Sequence, residues 1–221
     1  MKYQVIIPAR ANSKRLPGKN MRVLGGKPLI QHSIDYALGF FSENIIWVNS
    51  NDLEIIEFAK NMGVKTLKRP DNLSTDLTPT VDVLKFHIDY FKGQGIVCDA
   101  IILLQPTNPF RDNNLLKKSL KIFKESGRNS LATFSLSEKK IGEIASEYFK
   151  PINYTPGQRA QDLEKSYFEN GLLYITKCNS ILEGKIITDD VYPLICYAPE
   201  SKVDIDYLED FIFAEVLLKL K

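Results

Sequence analysis

Residues 5–20 read VIIPARANSKRLPGKN, an apolar strand followed at once by a basic loop. The cations of this loop are Arg10, Lys14, Arg15 and Lys19. Glycine and proline interrupt the loop, so its backbone can turn and present N–H groups together with side-chain charge. Open α/β folds bind ligands where their strands end, at the carboxyl edge of the sheet. The stretch therefore predicts a phosphate-binding loop, although a solvated basic turn would have the same composition.

The loop matches neither of the two commonest nucleotide-binding fingerprints. Both G-x-G-x-x-G and G-x-x-x-x-G-K-[ST] are absent from residues 5–20. Without the first fingerprint and the ribose-binding acid that accompanies it, a coenzyme-dependent dehydrogenase is disfavoured.

Short apolar runs alternate with stretches of helical periodicity along most of the chain. The runs predicted as buried strands are residues 3–7, 45–48, 100–104, 131–134, 172–175 and 191–197. Helical spacing begins near residues 29, 53, 81 and 115, and a last helix is predicted over about 207–220. This order predicts an α/β fold with a mainly parallel sheet and helices on both faces.

The length of 221 residues suits one substantial domain, predicted over residues 1–221. The alternating pattern breaks down at about residues 137–169, an excursion from the sheet. Its apolar side chains are too many for a free loop, so they pack on the body or on a second subunit, and a homodimer is the hypothesis. They are Ile141, Ile144, Tyr148, Phe149, Ile152 and Tyr154.

Composition excludes several classes of partner. With 29 basic and 27 acidic residues the net charge is +2, so no overall field attracts nucleic acid or a membrane surface. Cys98, Cys178 and Cys196 form no C-x-x-C pair, which argues against a disulfide framework and a zinc site. No apolar run reaches the roughly 18 residues needed to span a bilayer. These features predict reduced thiols and a cytoplasmic protein.

Two carboxylates stand two residues apart in the segment 203–206, which reads VDID. Residues two apart in an extended segment point the same way, so Asp204 and Asp206 would present both carboxylates to one divalent cation. Asp206 is also an acceptable helix N-cap with Glu209 as its capping-box partner, but that alternative leaves Asp204 unexplained. Together with a phosphate-binding loop, the pair favours Mg²⁺-dependent chemistry on a nucleoside triphosphate.

A third polar segment, QPTNPFR at 105–111, follows the predicted strand 100–104. Its two prolines restrict the backbone, while Gln105, Thr107, Asn108 and Arg111 offer donors and acceptors suited to a polyhydroxylated ligand. A rigid turn would need the prolines but neither Gln105 nor Arg111, so a ligand loop is favoured.

Five segments, taken in order, carry a family resemblance. They are IIPARANSKRLPGKN at 6–20, L-x-R-P-x-x-L at 67–73, LLQPTNPFR at 103–111, ENGLLYI at 169–175 and DIDYLEDFIFAE at 204–215. Together they resemble the CMP-sialic acid synthetases, or acylneuraminate cytidylyltransferases, which activate sialic acid and related nine-carbon acidic sugars. The resemblance covers nearly the whole chain and implies a three-layer nucleotidyltransferase fold of Rossmann-like type.

The resemblance implies transfer of a cytidylyl group from CTP to the anomeric hydroxyl of a keto-sugar acid, with Mg²⁺ as cofactor and pyrophosphate as product. Arg10 and Lys19 would bind the triphosphate and stabilise its charge. The other implied nucleotide contacts are Ala9, Asn20 and Arg69. The implied sugar contacts are Gln105, Arg159, Gln161 and Asn170. Asp204 and Asp206 would carry the Mg²⁺.

Two segments depart from the sialic-acid enzymes and leave the sugar open. At residues 159–164, Ala160 occupies the usual arginine position, and Arg159 is displaced by one. Arg159 is assigned to the sugar carboxylate because a planar guanidinium pairs bidentately with it. Near residues 137–144, Lys139 or Lys140 stands where a His-Pro stretch with a lysine is typical. N-acetylneuraminic, legionaminic and pseudaminic acids are therefore all expected candidates.

Two other functions stay open. Residues 15–19 also resemble the cytidylyltransferase that activates the eight-carbon acid Kdo, although residues 105–107 lack its Gly-Asp turn. A non-catalytic nucleotide-binding homologue would have no need of a carboxylate pair beside a triphosphate loop. His32 and His87 both fall in predicted helices, so no general base is assigned.

Overall fold

The computed structural model describes residues 1–11 and 13–220, so Asn12 of the basic loop and Lys221 lie outside the described residues. The α-helices are α1 (Leu29–Leu38), α2 (Leu53–Asn61), α3 (Thr80–Gly93), α4 (Leu115–Ser126), α5 (Cys178–Leu182) and α6 (Leu208–Lys219). The strands are β1 (Tyr3–Pro8), β2 (Val23–Leu24), β3 (Lys27–Pro28), β4 (Ile46–Ser50), β5 (Lys65–Lys68), β6 (Ala100–Leu103), β7 (Ser130–Ser137), β8 (Gly142–Ala145), β9 (Tyr148–Pro151), β10 (Ser166–Lys177) and β11 (Tyr192–Cys196). Of the helices described, none combines the length and the apolar character needed to cross a membrane.

Seven strands form the central sheet in the order β11-β7-β10-β6-β1-β4-β5. β1 pairs in parallel with β4 and β6, β4 pairs in parallel with β5, and β7 pairs in parallel with β11. β10 runs antiparallel to both of its neighbours, β6 and β7. The mainly parallel sheet is confirmed. Its antiparallel strand was not predicted, because a fully buried strand reads as the same apolar run in either direction.

Helices cover both faces of the sheet, as predicted. Successive side chains of a strand point to opposite faces. Val5 and Ile7 of β1 accordingly pack in one buried cluster with residues of α1, α2 and α4. Ile6, between them, packs in a second cluster with residues of α3 and α5. The three layers follow from this division.

Two strands differ from the prediction. β5 was missed because it is an edge strand that reads KTLK with only Leu67 buried, and charged edge strands carry no apolar run. β10 begins at Ser166, well before the predicted start at 172. Its first residues pair with the end of β7, and the register shifts between Glu169 and Tyr174.

The excursion lies between β7 and β10, at residues 138–165, and contains the antiparallel hairpin of β8 and β9. Of the six apolar side chains expected to pack on the body or on a second subunit, five are not covered by the body. The exposed side chains are Ile141, Ile144, Tyr148, Phe149 and Ile152. Packing against a second subunit stays a prediction.

A third buried cluster joins the basic loop to the last helix. It contains Leu16 of the loop, Phe110 after β6 and Phe211 of α6, together with Val203 and Ile205. Val203 and Ile205 point into the cluster. Asp204 and Asp206 alternate with them along the extended segment and therefore point away from it. The third cluster therefore fixes the basic loop beside the two aspartates.

His87 of α3 is fully buried against the sheet. Its ring lies 6.3 Å from the ring of Trp47 and 5.6 Å from that of Phe91, measured between centroids. Neither ring nitrogen has a hydrogen-bond partner among the described atoms. Burial, with a smaller contribution from the charge of Arg69, lowers the pKa of His87 to about 3. His87 is therefore a neutral packing residue.

We expect a His87→Leu variant to lose less stability in acid than the wild type. An unfolded histidine takes up its proton below about pH 6.5, whereas His87 in the folded protein does so only near a pKa of about 3. The unfolded state thus binds more protons between these values, and the wild type loses stability as the pH falls through this window. At pH 5 the loss amounts to about 2 kcal/mol. Urea unfolding of both proteins at pH 7 and pH 5 measures it, and a stability difference independent of pH would contradict it.

Candidate active site

A cavity of about 540 Å³ opens at the edge of the sheet where β1, β5 and β6 end. Pro8 and Arg10 follow β1, Arg69 follows β5, and residues 105–107 follow β6. β1 and β6 are adjacent in the sheet. From β1 the chain goes on to β4 and β5 on one side, whereas β6 and the strands that follow it lie on the other side. The cavity thus lies at the topological switch point, where open α/β sheets bind ligands.

The structure brings six of the predicted site residues together around this cavity. They are Arg10, Lys19, Asn20, Arg69, Gln105 and Asp206. Lys14 and Arg15 also line it, so five cations face two carboxylates, those of Asp76 and Asp206. This excess of positive charge at the end of a parallel sheet suits a polyanionic ligand.

Lys19 and Asp206 meet at the cavity although 187 positions separate them. The ammonium of Lys19, whose side chain is 9% exposed, donates to the carbonyl of Ile205 at 2.8 Å and to Oδ1 of Asp206 at 2.9 Å. Arg15 Nη1 donates to Oδ2 of Asp206 at 2.5 Å. Burial acts to raise the pKa of Asp206, but Lys19 and Arg15 outweigh it and lower the pKa from its ordinary value. The carboxylate of Asp206 is therefore ionised at neutral pH and holds the lysine in one place.

Asp206 is not the N-cap of the last helix. The cap is Tyr207, and its capping box is completed by Asp210. Oδ2 of Asp210 accepts hydrogen bonds from the backbone N–H groups of Asp206 at 3.0 Å and Tyr207 at 2.8 Å. The capping alternative with Glu209 is thus wrong, and the carboxylate of Asp206 faces the basic loop instead.

Asp204 lies beside the cavity, but its side chain is not part of the lining. Burial is the main cause that raises its pKa from the ordinary value, and the charges of Asp206 and Asp210 raise it further. A hydrogen bond from Thr107 acts in the opposite direction. Ile205 N–H donates to the carbonyl of Thr107 at 2.8 Å, which ties the segment to the loop after β6. Among the described residues no group of three or more His, Cys, Asp or Glu side chains forms a metal site by itself.

Arg69 is buried at the base of the cavity. Its guanidinium donates to the side-chain and backbone oxygens of Asn49. Burial, followed by the charge of Arg10, lowers the pKa of Arg69 to about 10. Because Asn49 is neutral, these bonds fix the guanidinium without cancelling its charge. Asn20 donates to the carbonyl of Arg10 at 3.1 Å and so fixes the start of the basic loop.

Asp76 is a site residue that the sequence analysis missed. It forms ion pairs with Arg10 and with Lys14, the latter at 2.6 Å, and it lines the cavity beside Thr75 and Thr78. In the sequence it is a single aspartate in a polar turn, STDLTPT at 74–80, which matches no motif. Only the fold, which places this turn against the basic loop, identifies it.

Two polar residues of the segment after β6, Asn108 and Arg111, hold that segment in place through hydrogen bonds to the protein. Arg111 is buried and donates to Leu172 O at 2.7 Å, Gln105 O at 2.7 Å and Ser33 Oγ at 3.0 Å. The amide of Asn108 donates to two backbone carbonyls, those of residues 170 and 203. Their expected role as ligand donors is not supported, because their donors already have partners in the fold. Gln105 remains at the cavity.

Asn170 is likewise turned into the protein. Its amide donates to Ser135 Oγ at 2.9 Å, and its Oδ1 accepts from Leu172 N–H at 3.2 Å. The next residue, Gly171, has φ +71°, and a Cβ there would come within 2.5 Å of Asn108 Oδ1. The structure therefore places Asn170 in the support of the loop and not in the lining of the cavity.

Three further predicted residues are also outside the lining. Ala9 is buried, and its N–H donates to Asn49 O at 2.9 Å. Arg159 pairs bidentately with Asp162 on the excursion, at 2.7 and 3.1 Å. Gln161 is exposed on the same segment.

Neither histidine lines the cavity. His32 lies in α1, and its Nε2 is 2.9 Å from the carbonyl oxygen of Leu24. Its pKa is lowered, mainly by burial. With His87 in the core, no base is assigned from the structure.

Comparison with solved structures shows the fold. The chain superimposes on CMP:2-keto-3-deoxy-manno-octonic acid synthetase complexed with CTP with a TM-score of 0.73 and 19% identity, over 100% of this chain and 99% of that one. The nucleotidyltransferase fold expected from the motifs is thereby confirmed.

Comparison with curated proteins agrees. The chain is 34% identical to CMP-N,N'-diacetyllegionaminic acid synthase of Legionella pneumophila, over 100% of this chain and 97% of that protein. It is 32% identical to pseudaminic acid cytidylyltransferase of Campylobacter jejuni, over 100% and 97% respectively. It is 33% identical to N-acylneuraminate cytidylyltransferase of Streptococcus agalactiae, over 96% of this chain but 52% of that protein, about half its length. The cytidylyltransferase family model matches residues 4–219. The chain therefore belongs to the cytidylyltransferase family, as the order of its motifs predicted.

Proposed function

We propose that this protein transfers the cytidylyl group of CTP to the anomeric hydroxyl of a nine-carbon keto-sugar acid and releases pyrophosphate. The observation that carries the proposal is the Lys19–Asp206 pair at a cavity lined by five cations. The relatives named for legionaminic, pseudaminic and N-acylneuraminic acids support the substrate class. The product would be a CMP-sugar for surface glycan synthesis.

In this reaction the oxygen of the sugar hydroxyl bonds to the α-phosphorus and releases its proton to solvent, while the bond from that phosphorus to the pyrophosphate oxygen breaks. Negative charge therefore grows on the α-phosphate and on the leaving pyrophosphate. Lys19, held by Asp206, is a fixed positive charge for these groups, and Arg10 lies at the same cavity as a second cation. The buried guanidinium of Arg69 adds a third charge at the base. The described residues would thus promote the reaction by holding the substrates in position and by stabilising the negative charge on the phosphates.

The donor set fits Mg²⁺. Mg²⁺ is usually held by one or two carboxylates together with substrate phosphates and water, and Asp204 and Asp206 supply two carboxylates beside the phosphate loop. Bound there, Mg²⁺ would neutralise phosphate charge. The pKa of Asp204 is raised chiefly by burial and also by the charges of Asp206 and Asp210, and a bound cation would offset both effects.

Gln105 is our proposed contact to the sugar, because it lines the cavity next to the basic loop. Arg159, Gln161 and Asn170 stay predictions for the sugar, and Ala9 stays a prediction for the nucleotide. We also propose a cytoplasmic location, which fits three cysteines that are all free thiols.

A homodimer is proposed from the excursion. Three apolar side chains of its hairpin are exposed: Ile144 (79%), Tyr148 (77%) and Phe149 (54%). A group of exposed apolar side chains of this kind is typical of a contact between subunits. A dimer mass at micromolar concentration is expected in light scattering, and a monomeric mass would remove this part of the proposal.

The experiment that tests the proposed function is pyrophosphate release in the presence of Mg²⁺. CTP should support release with one of N-acetylneuraminate, legionaminate or pseudaminate, while ATP, GTP and UTP serve as nucleotide controls. Release with Kdo alone would assign the eight-carbon substrate instead. CTP binding without release from any sugar would favour the non-catalytic homologue.

A further inference from the structure

A short polar segment forms one side of the cavity. We call residues 74–79, which lead into α3, the strap. Within it, Thr78 N–H donates to Thr75 O at 3.3 Å, and the two threonine hydroxyls lie 2.8 Å apart. Leu77 at its tip is 91% exposed. The strap is thus a local turn that stands out from the core.

Asp76 connects the strap to the basic loop. One carboxylate oxygen, Oδ1, pairs with Arg10, and the other, Oδ2, pairs with Lys14 at 2.6 Å. A carboxylate bridging two cations occupies positive charge in the same way as a phosphate group would. Hydrogen bonds from Lys14 and Arg10 lower the pKa of Asp76, so the carboxylate is ionised at neutral pH.

From this contact we propose that Asp76 is an internal counter-anion of the basic loop, which the polyphosphate of the nucleotide must displace before it can pair with Arg10 and Lys14. The strap then acts as a latch on the empty cavity. The inference rests on the proposed function in one respect, namely that the natural polyphosphate is that of CTP.

The latch has a cost in affinity. A ligand that binds only the released state has its apparent affinity reduced by the fraction of protein in that state. Both ion pairs are partly exposed, with 82% exposure for the side chain of Lys14 and 29% for that of Asp76. Pairs of this kind are weak individually, so their combined effect on affinity is about five- to tenfold.

Replacing Asp76 by asparagine keeps the size of the side chain and removes its charge. We expect Asp76→Asn to bind CTP and inorganic tripolyphosphate about five- to tenfold more tightly than the wild type. Asp71→Asn is the matched control, because Asp71 is an exposed aspartate that precedes the strap and does not line the cavity. It makes the same change in net charge and should leave both affinities nearly unchanged.

Isothermal titration calorimetry in EDTA measures both affinities without metal, so any role of Asp76 as a Mg²⁺ ligand does not enter. Equal or weaker binding by Asp76→Asn would overturn the latch, since it would show that Asp76 orients Arg10 and does not compete with the ligand. An equal gain in Asp71→Asn would also overturn it, because net charge alone would explain the result. Circular dichroism confirms that each variant is folded.

The outcome also separates this inference from the proposed function. A wild type that binds no CTP would contradict the proposed function, whereas tripolyphosphate binding that Asp76→Asn tightens would still support the latch. In steady-state assays the variant should lower KM for CTP without raising kcat, because Asp76 acts before the chemical step. A raised KM would contradict the latch.

Discussion

A Lys19→Met variant is expected to lower kcat by about 100- to 1,000-fold, the usual loss when one donor aimed at developing charge is removed. The ammonium of Lys19 is buried and held by Asp206 and by the carbonyl of Ile205, so it is already in place when charge develops. No neighbouring lysine has the same anchoring, since Lys14 is largely exposed. Pyrophosphate release at saturating CTP and sugar measures the effect.

Lys27→Met is the matched control for this experiment. Lys27 pairs with Asp35 at 2.6 Å and does not line the cavity, so its removal makes the same change in net charge away from the site. Its kcat should stay within about twofold of the wild type, as for surface changes in general. A Lys19→Met enzyme with wild-type kcat would show that the lysine only supports Asp206 structurally.

Asp206→Asn is expected to abolish Mg²⁺-dependent turnover, a loss of at least about 100-fold, while the fold keeps its stability. The substitution preserves shape but removes the charge that Lys19, Arg15 and Mg²⁺ would share. The helix cap is untouched because Asp210 provides it. Activity is assayed over a range of Mg²⁺ concentrations, and thermal unfolding is followed in parallel.

Asp210→Ala should give the opposite pattern. Loss of the capping carboxylate is expected to cost about 1 kcal/mol of stability, which lowers Tm by roughly 2–4 °C in a protein of this size. Turnover per folded molecule should fall much less than in Asp206→Asn, because Asp210 contacts only the backbone of Asp206 and does not line the cavity. If Asp206→Asn instead lost stability and kept activity, the carboxylate of Asp206 would have a structural role and no role in turnover.

The sheet and its covering helices could be predicted because buried parallel strands and amphipathic helices each leave a distinct period in the sequence. The direction of β10 could not, since burial on both faces removes the alternation that would mark it. β5 could not be predicted for the opposite reason, because a strand with one buried residue shows no period at all.

The site was predictable only in part, and for a different reason. The motifs identify Lys19 and Asp206 separately, but neither motif predicts the hydrogen bond between the two side chains. Arg111 and Asn108 were misassigned because residue type does not tell whether a donor meets a ligand or a buried carbonyl. Asp76 was missed because its partners, Arg10 and Lys14, lie more than 60 positions before it.

The third cluster has a consequence for how the enzyme is made. Leu16 of the basic loop is buried in one cluster with Ile205 and Phe211, which lie almost 190 or more positions later in the sequence. On the ribosome the amino-terminal half emerges first, at about 5–20 residues per second. The nascent chain therefore carries its basic loop for many seconds before the segment that holds Lys19 has been synthesised. Contacts between such distant segments also form late and slowly during folding. Substrate competence should arise abruptly, once residues 203–211 have been synthesised and packed against Leu16, and not accumulate as the sheet grows.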